Sequence, residues 1–351
     1  MIRTIGVPAE TKDGERRVVL DPSAVAMAVS AGFEVRVQSN AGVGAGFSNG
    51  AYEKVGAEIV PTAGDAWGSD LVVKVKEPQP AEWQYFREGL QLFAYLHLAA
   101  EPDLARALMA SGVESFAFET LAYPHGLPLL APMSEVAGRA AAIMGAYYLA
   151  SGSGTLLGGA AGVPPARVVV VGMGVAGTMA ARGARGMDAE VTGVDIDLAR
   201  LYDLHQQGTI TSSLASSEMA IGDAVAQADL VVGAALVPGA KAPKLVTRQH
   251  IESMRPGSVV VDLAIDQGGC IETSRPTSLS HPTFVESGVV HYCVTNVPGQ
   301  YPRTSSRALS AAVAPRLIDL ARDPASERLV GSLNVSKGQI VYKAVAESLG
   351  F

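Results

Sequence analysis

The chain has 351 residues, of which 48% are hydrophobic and 17% charged, and its 27 basic and 34 acidic residues give a formal net charge of −7. This length exceeds one ordinary core, so we expect two domains, and the composition is that of a globular protein rather than a disordered one. The acidic balance argues against nucleic acid and anionic membranes as partners, since both attract clustered basic residues.

Targeting and metal-binding signals are not found in the sequence. The opening segment, MIRTIGVPAE, does not have the pattern of a secretory signal peptide. The most apolar segment, ARVVVVGMGVAGTMAARGARG, is broken by glycines and arginines and is not expected to span a bilayer. Two cysteines, Cys270 and Cys293, are too few for a disulfide framework and have no metal-ligand spacing. We therefore expect a cytoplasmic protein with no membrane partner and no metal.

The first third of the chain alternates strand and helix patterns. Strands are predicted in TIGVPAE, EVRVQS, LVVKVKEP, LQLFAYLHL and ESFAFET. Helices are predicted in PSAVAMAVSAG and DLARALMASG, each closed by a glycine. This repeated β-α-β order predicts a mostly parallel sheet.

A second β-α-β series occupies the later part of the chain. Ser134 is predicted to cap a connecting helix that continues to about residue 150, and a glycine- and proline-rich loop, GSGTLLGGAAGVPPAR, follows it. The segment ALSAAVAPRLIDLARD has the periodicity of a helix. Strands are predicted at 167–172, 190–195, 229–233, 258–263 and 289–294.

The strongest local signal is G-x-G-x-x-G at Gly172, Gly174 and Gly177, directly after an apolar strand. The first glycine permits a tight turn, the second lets backbone approach a pyrophosphate, and the third lets the next helix pack closely on the strand. Asp195, about twenty residues later, is placed to bind a ribose diol, which favours NAD over NADP. Arg200 fits either a weaker exclusion of NADP or a solvated surface position.

Polar side chains follow several of the apolar strands. Lys76, His97 and Asp266 each come near the end of one, and open α/β sheets bind ligands beyond the carboxyl ends of their strands. An arginine such as Arg16 or Arg17 holds a carboxylate through two hydrogen bonds, a lysine binds a carboxylate or polarises a carbonyl, and a histidine moves a proton near neutral pH. An aspartate holds an ammonium group. Together they predict a site for a small amino or oxo acid beside a nicotinamide.

Each of these residues also has an ordinary structural explanation. Lys74 and Lys76 alternate with valines, as on a solvated strand face. Arg16 and Arg17 fit a surface ion pair, and His97 in FAYLHLAAEP fits a buried, hydrogen-bonded core histidine. The run DQGG is typical of a turn. The occurrence of the whole set in one chain favours the site.

Nine stretches with specific patterns run nearly from end to end of the chain: GVPAETKDGERRV, NAGVGAGF, VVKVKEP, LFAYLHLAAEP, LPLLAPMSEVAGR, GVAGTMAA, LVPGAKAPKLV, GSVVVDLAIDQGG and GVVHYCVTNVPG. In these stretches the chain resembles the alanine dehydrogenases, of the family shared with the NAD-binding subunit of proton-translocating transhydrogenase. The transhydrogenase subunit is less similar in YLHLAAEP and AIDQGGC.

The resemblance implies a role for each matched residue. Arg17 is expected to bind the substrate carboxylate, and Lys76 the carboxylate or the oxo group. His97 is expected to be the general acid/base and Asp266 its partner at the reacting amine, while Met133 lines the cleft. The expected cofactor-binding residues are Ser134, Gly172, Gly174, Val175, Ala176, Gly177, Asp195, Arg200, Ser217, Leu236, Val237, Ile265, Arg275, Asn296 and Val297.

The sequence thus predicts an α/β protein with a cleft between a discontinuous substrate domain, 1–131 and 305–351, and a Rossmann NAD-binding domain, 132–304. The expected reaction is the reversible, NAD-dependent oxidative deamination of L-alanine to pyruvate and ammonium. The resemblance also implies a homo-oligomer, a hexamer. Two alternatives stay open. One is a dehydrogenase of another 2-oxo acid, including opine-type coupling, because the family usually has Ala-Asn-Met-Pro where this chain has Thr295 to Pro298 and because RTSSRALSAAVAP also departs from its pattern. The other is a transhydrogenase-like NAD-binding subunit, against which the presence of Arg17, Lys76, His97 and Asp266 together argues.

Overall fold

A computed structural model describes residues 2–124, 126–236 and 242–350. The chain divides into two compact units, one formed by residues up to Met133 together with those from Gly299 onward, the other lying between Ser134 and Pro298. Each unit contains a sheet of mostly parallel strands with helices between them, which confirms the predicted α/β class.

The sheet of the first unit has eight strands in the described residues. Its order is β15-β14-β6-β5-β4-β1-β2-β3, and β1 to β6 are parallel while β14 and β15 are antiparallel additions. All strands predicted from the first third of the sequence are present, whereas β3, β14 and β15 were not predicted. The strands, numbered in chain order, are β1 Thr4–Val7, β2 Glu34–Gln38, β3 Glu58–Val60, β4 Leu71–Val73, β5 Gln91–Ala94, β6 Glu114–Ala117, β14 Leu333–Ser336 and β15 Gln339–Ile340.

The central strands of this sheet are buried on both faces. In β4, Leu71 and Val73 pack in one apolar cluster and Val72 in another, as expected for a parallel strand covered by helices on both sides. The first helix begins where Asp21 accepts the amide of Ala24 at 2.9 Å. The helices of this unit are α1 Pro22–Ser30, α2 Asn49–Glu53, α3 Ala63–Trp67, α4 Pro102–Ser111, α10 Pro302–Arg322 and α11 Lys343–Leu349.

The second unit has a seven-stranded sheet in its described part, of order β12-β13-β11-β10-β7-β8-β9. All strands are parallel except β12, and the order of the parallel strands is that of a doubly wound dinucleotide-binding fold. The predicted strands are present within one or two residues of their predicted bounds, and β9 and β12 were not predicted. The elements are β7 Arg167–Val171, α6 Val175–Arg185, β8 Glu190–Asp195, α7 Leu198–Gln206, β9 Ser212–Ala215, α8 Glu218–Ala226, β10 Leu230–Gly233, α9 Arg248–Glu252, β11 Val259–Asp262, β12 Thr283–Glu286 and β13 Val289–Tyr292.

Helix α5, Ala131–Ser151, contains the boundary between the two units. The prediction that Ser134 caps this helix is wrong, because the helix begins three residues earlier and Ser134 lies inside its first turn. Pro132 is compatible with this earlier start, since proline is tolerated in a first turn, where its missing amide has no partner to lose.

Helix α10 fixes the backbone that follows Arg17. The hydroxyl of Ser306 accepts the amide of Val18 at 2.9 Å. The hydroxyl of Ser310 accepts the amide of Asp21 at 2.8 Å and donates to the carbonyl of Val19 at 3.0 Å. The C-terminal part of the chain therefore belongs to the first unit and supports one of its candidate site residues.

Candidate active site and nucleotide-binding loop

The candidate substrate residues of the first unit lie beyond the carboxyl ends of neighbouring strands. Lys76 follows β4, and His97 follows β5, its direct neighbour in the sheet. β1 and β4 are also neighbours although they are far apart in sequence, so the chain reverses its direction of winding there. Such a switch point is where open α/β sheets bind ligands.

Lys76 belongs to a buried chain of alternating charges. Its ammonium nitrogen lies 3.3 Å from Glu77 Oε2, and Lys12 lies 2.5 Å from Glu77 Oε1. Burial raises the pKa of Glu77, but the positive charges of Lys76, Lys12 and His97, with a hydrogen bond from Lys12, outweigh it and lower the pKa to about 2. Glu77 is therefore a permanent carboxylate that balances the lysine proposed to meet an anionic substrate.

The interpretation of Lys74 as part of a solvated strand face is wrong. Its side chain is fully buried between two carboxylates, with Nζ 3.4 Å from Glu10 and 2.9 Å from Glu82. Burial lowers the pKa of this lysine, but the two carboxylates raise the pKa by more than burial lowers it. The side chain therefore remains an ammonium. The alternation of lysines and valines does not indicate a solvated face here, because β4 ends at Val73 and both faces of the strand are covered.

His97 occupies a strained and partly exposed position. Its φ of 48° lies in the left-handed region, and its amide donates to Glu119 Oε1 at 2.7 Å. The imidazole stacks on Tyr95, with ring centroids 5.9 Å apart and planes 9° from parallel. Within the described ranges no hydrogen bond reaches either ring nitrogen, so this is not the satisfied core histidine of the alternative interpretation. The ring is in a position to exchange a proton.

Arg17 is buried rather than part of a surface pair. Its Nε and Nη2 donate to the two carboxylate oxygens of Glu15 at 2.8 and 2.6 Å, and its Nη1 donates to Met133 Sδ at 3.1 Å. Burial lowers the pKa of Arg17, but the hydrogen bonds and charge of Glu15 raise it above its ordinary value. The guanidinium is therefore a fixed, oriented cation.

The structure brings Arg17, Lys76 and His97 into one neighbourhood. Tyr95 lies between two of them, because its ring stacks on His97 and its hydroxyl is near the charge of Arg17. Burial raises the pKa of Tyr95, and the positive charge of Arg17 lowers it. Glu77 connects His97 with Lys76 through their charges. Two buried cations beside a partly exposed imidazole suit a small anionic substrate.

Sequence reasoning did not identify the carboxylates that surround these residues. Glu77 stands next to Lys76 in VVKVKEP, and Glu119 is the second-last residue of ESFAFET, so both lie near the ends of predicted strands and share the signal that singled out Lys76. Glu10 and Glu82 gave no comparable signal, because their roles depend on side chains brought together from separate loops.

The glycine loop of the second unit has the predicted geometry. Gly172 has a φ of 92°, and a Cβ there would lie 2.7 Å from backbone atoms of Ala235. A Cβ on Gly177 would lie 1.9 Å from the carbonyl oxygen of Gly172, whereas one on Gly174 would meet nothing within 4 Å. The first and third glycines serve the packing of strand and helix, while the second leaves open space in front of the loop.

That open space lies at the N-terminus of α6, where Val175 and Ala176 begin the helix without a side-chain cap. The amides of a first helical turn have no intrahelical acceptors, so they can hold a pyrophosphate. Ser134 lies one turn before Gly138 on α5, and a Cβ on Gly138 would lie 2.1 Å from the carbonyl oxygen of Ala176. Ser134 is therefore on the face of α5 that approaches the loop.

Asp195 lies at the end of β8 and supports the same loop. Its Oδ2 accepts the amide of Met173 at 2.6 Å, and its Oδ1 accepts the amide of Asp197 at 2.9 Å. A carboxylate has about four acceptor positions, so both oxygens retain capacity for a ribose diol. Arg200 lies 3.7 Å from Asp197, with both side chains about half exposed. This is the solvated surface position, one of the two explanations that the sequence left open for Arg200.

Asp266 and Asn296 come together in a second loop cluster of this unit. Asp266 lies in a one-turn helix, Ile265–Gln267, and its Oδ2 accepts the amide of Asn296 at 3.3 Å. Asn296 has a φ of 60°, and Val297 beside it is buried. Gly268 and Gly269 follow with positive φ, so the DQGG run is the turn that its sequence suggests.

Other expected cofactor residues lie at separate places in the second unit. Ser217 caps α8 by accepting the amide of Ala220 at 3.2 Å. The guanidinium of Arg275 lies 4.0 Å from the ring centroid of Phe284 in β12, the edge strand furthest from β9. Leu236 follows β10 near the glycine loop and is partly exposed. Val237 lies outside the described residues.

Residues 2–124, 126–236 and 242–350 contain no cluster of three or more histidine, cysteine, aspartate or glutamate side chains suited to a metal ion. None of the helices in these ranges is both long enough and apolar enough to cross a membrane.

The chain is similar to known proteins over nearly its full length. The family described as "Alanine dehydrogenase/PNT, N-terminal domain" matches residues 6–137, and the family described as "Alanine dehydrogenase/PNT, C-terminal domain" matches residues 141–343. The alanine dehydrogenase of Bacillus subtilis strain 168 is 48% identical over 358 residues, which cover 99% of this chain and 95% of that protein.

Solved structures give the same assignment. An L-alanine dehydrogenase superposes with a TM-score of 0.93 at 45% identity, covering 99% of both chains. A transhydrogenase from Sinorhizobium meliloti superposes with a TM-score of 0.84 at 28% identity, covering 97% of this chain and 100% of that one. The chain belongs to the alanine dehydrogenase/PNT family.

Proposed function

We propose that this protein is an NAD-dependent alanine dehydrogenase that interconverts L-alanine, NAD⁺ and water with pyruvate, ammonium, NADH and a proton. The observation that carries the proposal is the gathering of Arg17, Lys76 and His97 at the carboxyl ends of neighbouring strands. Full-length similarity to proteins named alanine dehydrogenase supports the same activity.

The first unit supplies the substrate-binding groups in this proposal. Arg17, oriented by Glu15, holds the substrate carboxylate, and Lys76 binds the carboxylate or polarises the oxo group. His97 acts as general acid/base as water adds to the imino acid and ammonia leaves, with Asp266 as its partner at the reacting amine. Positioning of this kind contributes several kcal/mol to lowering the barrier.

The second unit holds the cofactor in this proposal. The residues fit a dinucleotide, because Gly174 leaves open space at a helix N-terminus and Asp195 retains acceptor capacity for a ribose diol. The carboxylate of Asp195 repels a 2′-phosphate, which favours NAD over NADP. When bound, the nicotinamide supplies the hydride-transfer chemistry. The remaining proposed cofactor contacts are Ser134, Val175, Ala176, Arg200, Ser217, Leu236, Val237, Ile265, Arg275, Asn296 and Val297.

The proposal includes a cytoplasmic homo-oligomer that is a hexamer. The assembly rests on the resemblance to the family, and the reducing compartment on two cysteines, Cys270 and Cys293, that are free thiols. The assembly is tested by the molar mass of the purified protein in solution, where a monomer would contradict it.

The activity is tested by following loss of NADH absorbance with ammonium and a panel of 2-oxo acids. We expect rapid loss with pyruvate, none when ammonium is omitted, and much slower loss with NADPH. Turnover only with a larger oxo acid, or only with a second amino acid as the amine, would replace the proposal by one of the related dehydrogenases. NADH binding without consumption of any oxo acid would favour a transhydrogenase-like subunit.

A further inference from the structure

The loops that carry Lys76 and His97 leave the sheet just before these residues. β4 ends at Val73 and β5 ends at Ala94, and backbone bonds extend the pairing by one or two residues, the last of them from the amide of Tyr95 to the carbonyl of Val75 at 3.2 Å. A loop backbone that must hold a reacting group needs other hydrogen-bond partners for its buried amides. In both loops, those partners are the oxygens of a glutamate.

Glu10, from the loop after β1, binds the backbone of the Lys76 loop. Its Oε1 accepts the amide of Val75 at 2.6 Å and its Oε2 accepts the amide of Lys76 at 3.2 Å. Its side chain is 3% exposed and lies 3.4 Å from the ammonium of Lys74. Two consecutive amides and a buried cation therefore converge on one carboxylate.

Glu119, from the loop after β6, binds the His97 loop in the same way. Its two oxygens both lie 3.2 Å from the amide nitrogen of Leu96, and Oε1 accepts the amide of His97 at 2.7 Å. β6 is the neighbour of β5, as β1 is the neighbour of β4. Each loop is thus held by a carboxylate that follows the adjacent strand.

The pairing of consecutive amides matters most at His97. A φ of 48° is uncommon for a residue with a side chain and is retained only where the surroundings enforce it. A charged acceptor makes a stronger hydrogen bond than a carbonyl oxygen does. Glu119 therefore supplies the interaction that holds this conformation, and the conformation sets where the imidazole points.

We propose that Glu10 and Glu119 are positioning residues, two carboxylate clamps that hold the backbones of Lys76 and His97 in the geometry the reaction needs. Neither carboxylate has to touch the substrate for this purpose. The inference rests on the proposed function for its effect on turnover, but the clamping itself is a property of the fold and is measurable without activity.

Hydrogen–deuterium exchange tests the clamping directly. In the unliganded wild-type protein we expect slow exchange at Val75, Lys76, Leu96 and His97. Glu119→Ala should increase exchange at Leu96 and His97 at least tenfold and leave the other two unchanged. Unchanged exchange at His97 in this variant would overturn the proposal, whether or not the protein oxidises NADH with pyruvate.

Steady-state kinetics then test the positioning role of Glu119. We expect Glu119→Ala to lower kcat roughly 100-fold, because displacing a catalytic group by about an ångström costs this much, while KM for NADH stays near the wild-type value. The kcat of Glu119→Gln should lie between those of the wild type and Glu119→Ala, since the amide oxygen of glutamine still accepts an N–H. The matched control is Glu114→Ala on β6, whose carboxylate contacts the side chains of Gln91 and Ser336 instead.

The Glu10 clamp has a different kinetic signature, because Lys76 binds substrate. Glu10→Gln should raise KM for pyruvate several-fold with a smaller change in kcat, and Lys74 stays paired with Glu82 so that the fold survives. Glu58→Gln, at an exposed pair with Arg36, is the control. Decreases in kcat or increases in KM that track the melting temperature and vanish at low assay temperature would show a merely structural role and overturn the proposal.

Discussion

His97 is the residue at which the alternative interpretations differ most. Its ring is partly exposed, has no hydrogen bond within the part of the chain that the structure describes, and stands beside Glu77 and Tyr95. We expect His97→Ala to lower kcat by a factor of 100 or more, since general acid/base catalysis contributes on this scale. NADH binding, followed by its fluorescence, should be unchanged. The exposed His205→Ala is the control, and near-wild-type turnover of His97→Ala would reject the proton-carrier role.

Asp195 combines a structural hydrogen bond with a proposed cofactor contact, and a single substitution removes both. Its carboxylate holds the amide of Met173 and is proposed to bind a ribose diol. We expect Asp195→Ala to raise KM for NADH about tenfold or more and to reduce the preference for NADH over NADPH, because the repulsion of a 2′-phosphate is lost. Glu190→Ala, at an exposed position on the same strand, should leave both the KM for NADH and the preference for NADH over NADPH unchanged. An unaltered cofactor preference in Asp195→Ala would contradict the diol assignment.

At the scale of elements, strong local patterns were predictable and long-range pairings were not. The apolar strand, glycine turn and helix from residue 167 to 185 follow from local sequence alone, and the structure has them. Lys74 was misjudged because period-two alternation predicts a solvated face only while a strand continues and one face is open. β14 and β15 are short antiparallel additions to an edge of the sheet, and their pairing depends on a distant strand, β6.

The glycine turn separates a packing effect from a ligand effect within one element. A Cβ on Gly177 would lie 1.9 Å from a carbonyl oxygen, so Gly177→Ala must push α6 away from β7. We expect a loss of roughly 1–3 kcal/mol, seen as a lower melting temperature. Gly174→Ala is the matched variant, because its Cβ enters open space and its φ of −65° suits alanine.

Gly174→Ala should therefore keep the wild-type melting temperature and weaken NADH binding instead. Its methyl group would occupy the space in front of the helix N-terminus that a pyrophosphate needs. A stable Gly174→Ala protein with unchanged NADH affinity would show that the phosphates do not approach the loop at this point.

Across the whole molecule, the two sheets share one order of their six parallel strands, and each places its candidate residues beyond the carboxyl ends of those strands. The sequence could predict this because strand ends are local features that carry polar residues. It could not predict that Glu10 and Glu119 would hold the backbones of Lys76 and His97, since each of these carboxylates comes from a loop whose neighbours are set by the order of the strands. Much of the candidate site was thus identified without the groups that orient it.

The charges buried in the first unit also make its stability depend on pH. Glu77 has an ordinary pKa of 4.5 and a folded value of about 2, so the unfolded chain takes up its proton first as the pH falls. Its ionised form therefore stabilises the fold fully above pH 4.5, by an amount on the order of 3 kcal/mol, and this contribution is lost between pH 4.5 and about 2.

Substitution of Glu77 should expose this dependence. We expect Glu77→Gln to melt below the wild type at pH 6 to 7, because Lys12 and Lys76 lose their shared carboxylate. The gap between the two melting temperatures should shrink steadily as the pH is lowered from about 4.5, since the wild type then loses what the variant never had. Glu34→Gln, at an exposed position, should show no such trend. A gap that stayed constant down to pH 3 would mean that Glu77 titrates alike in the folded and unfolded chains.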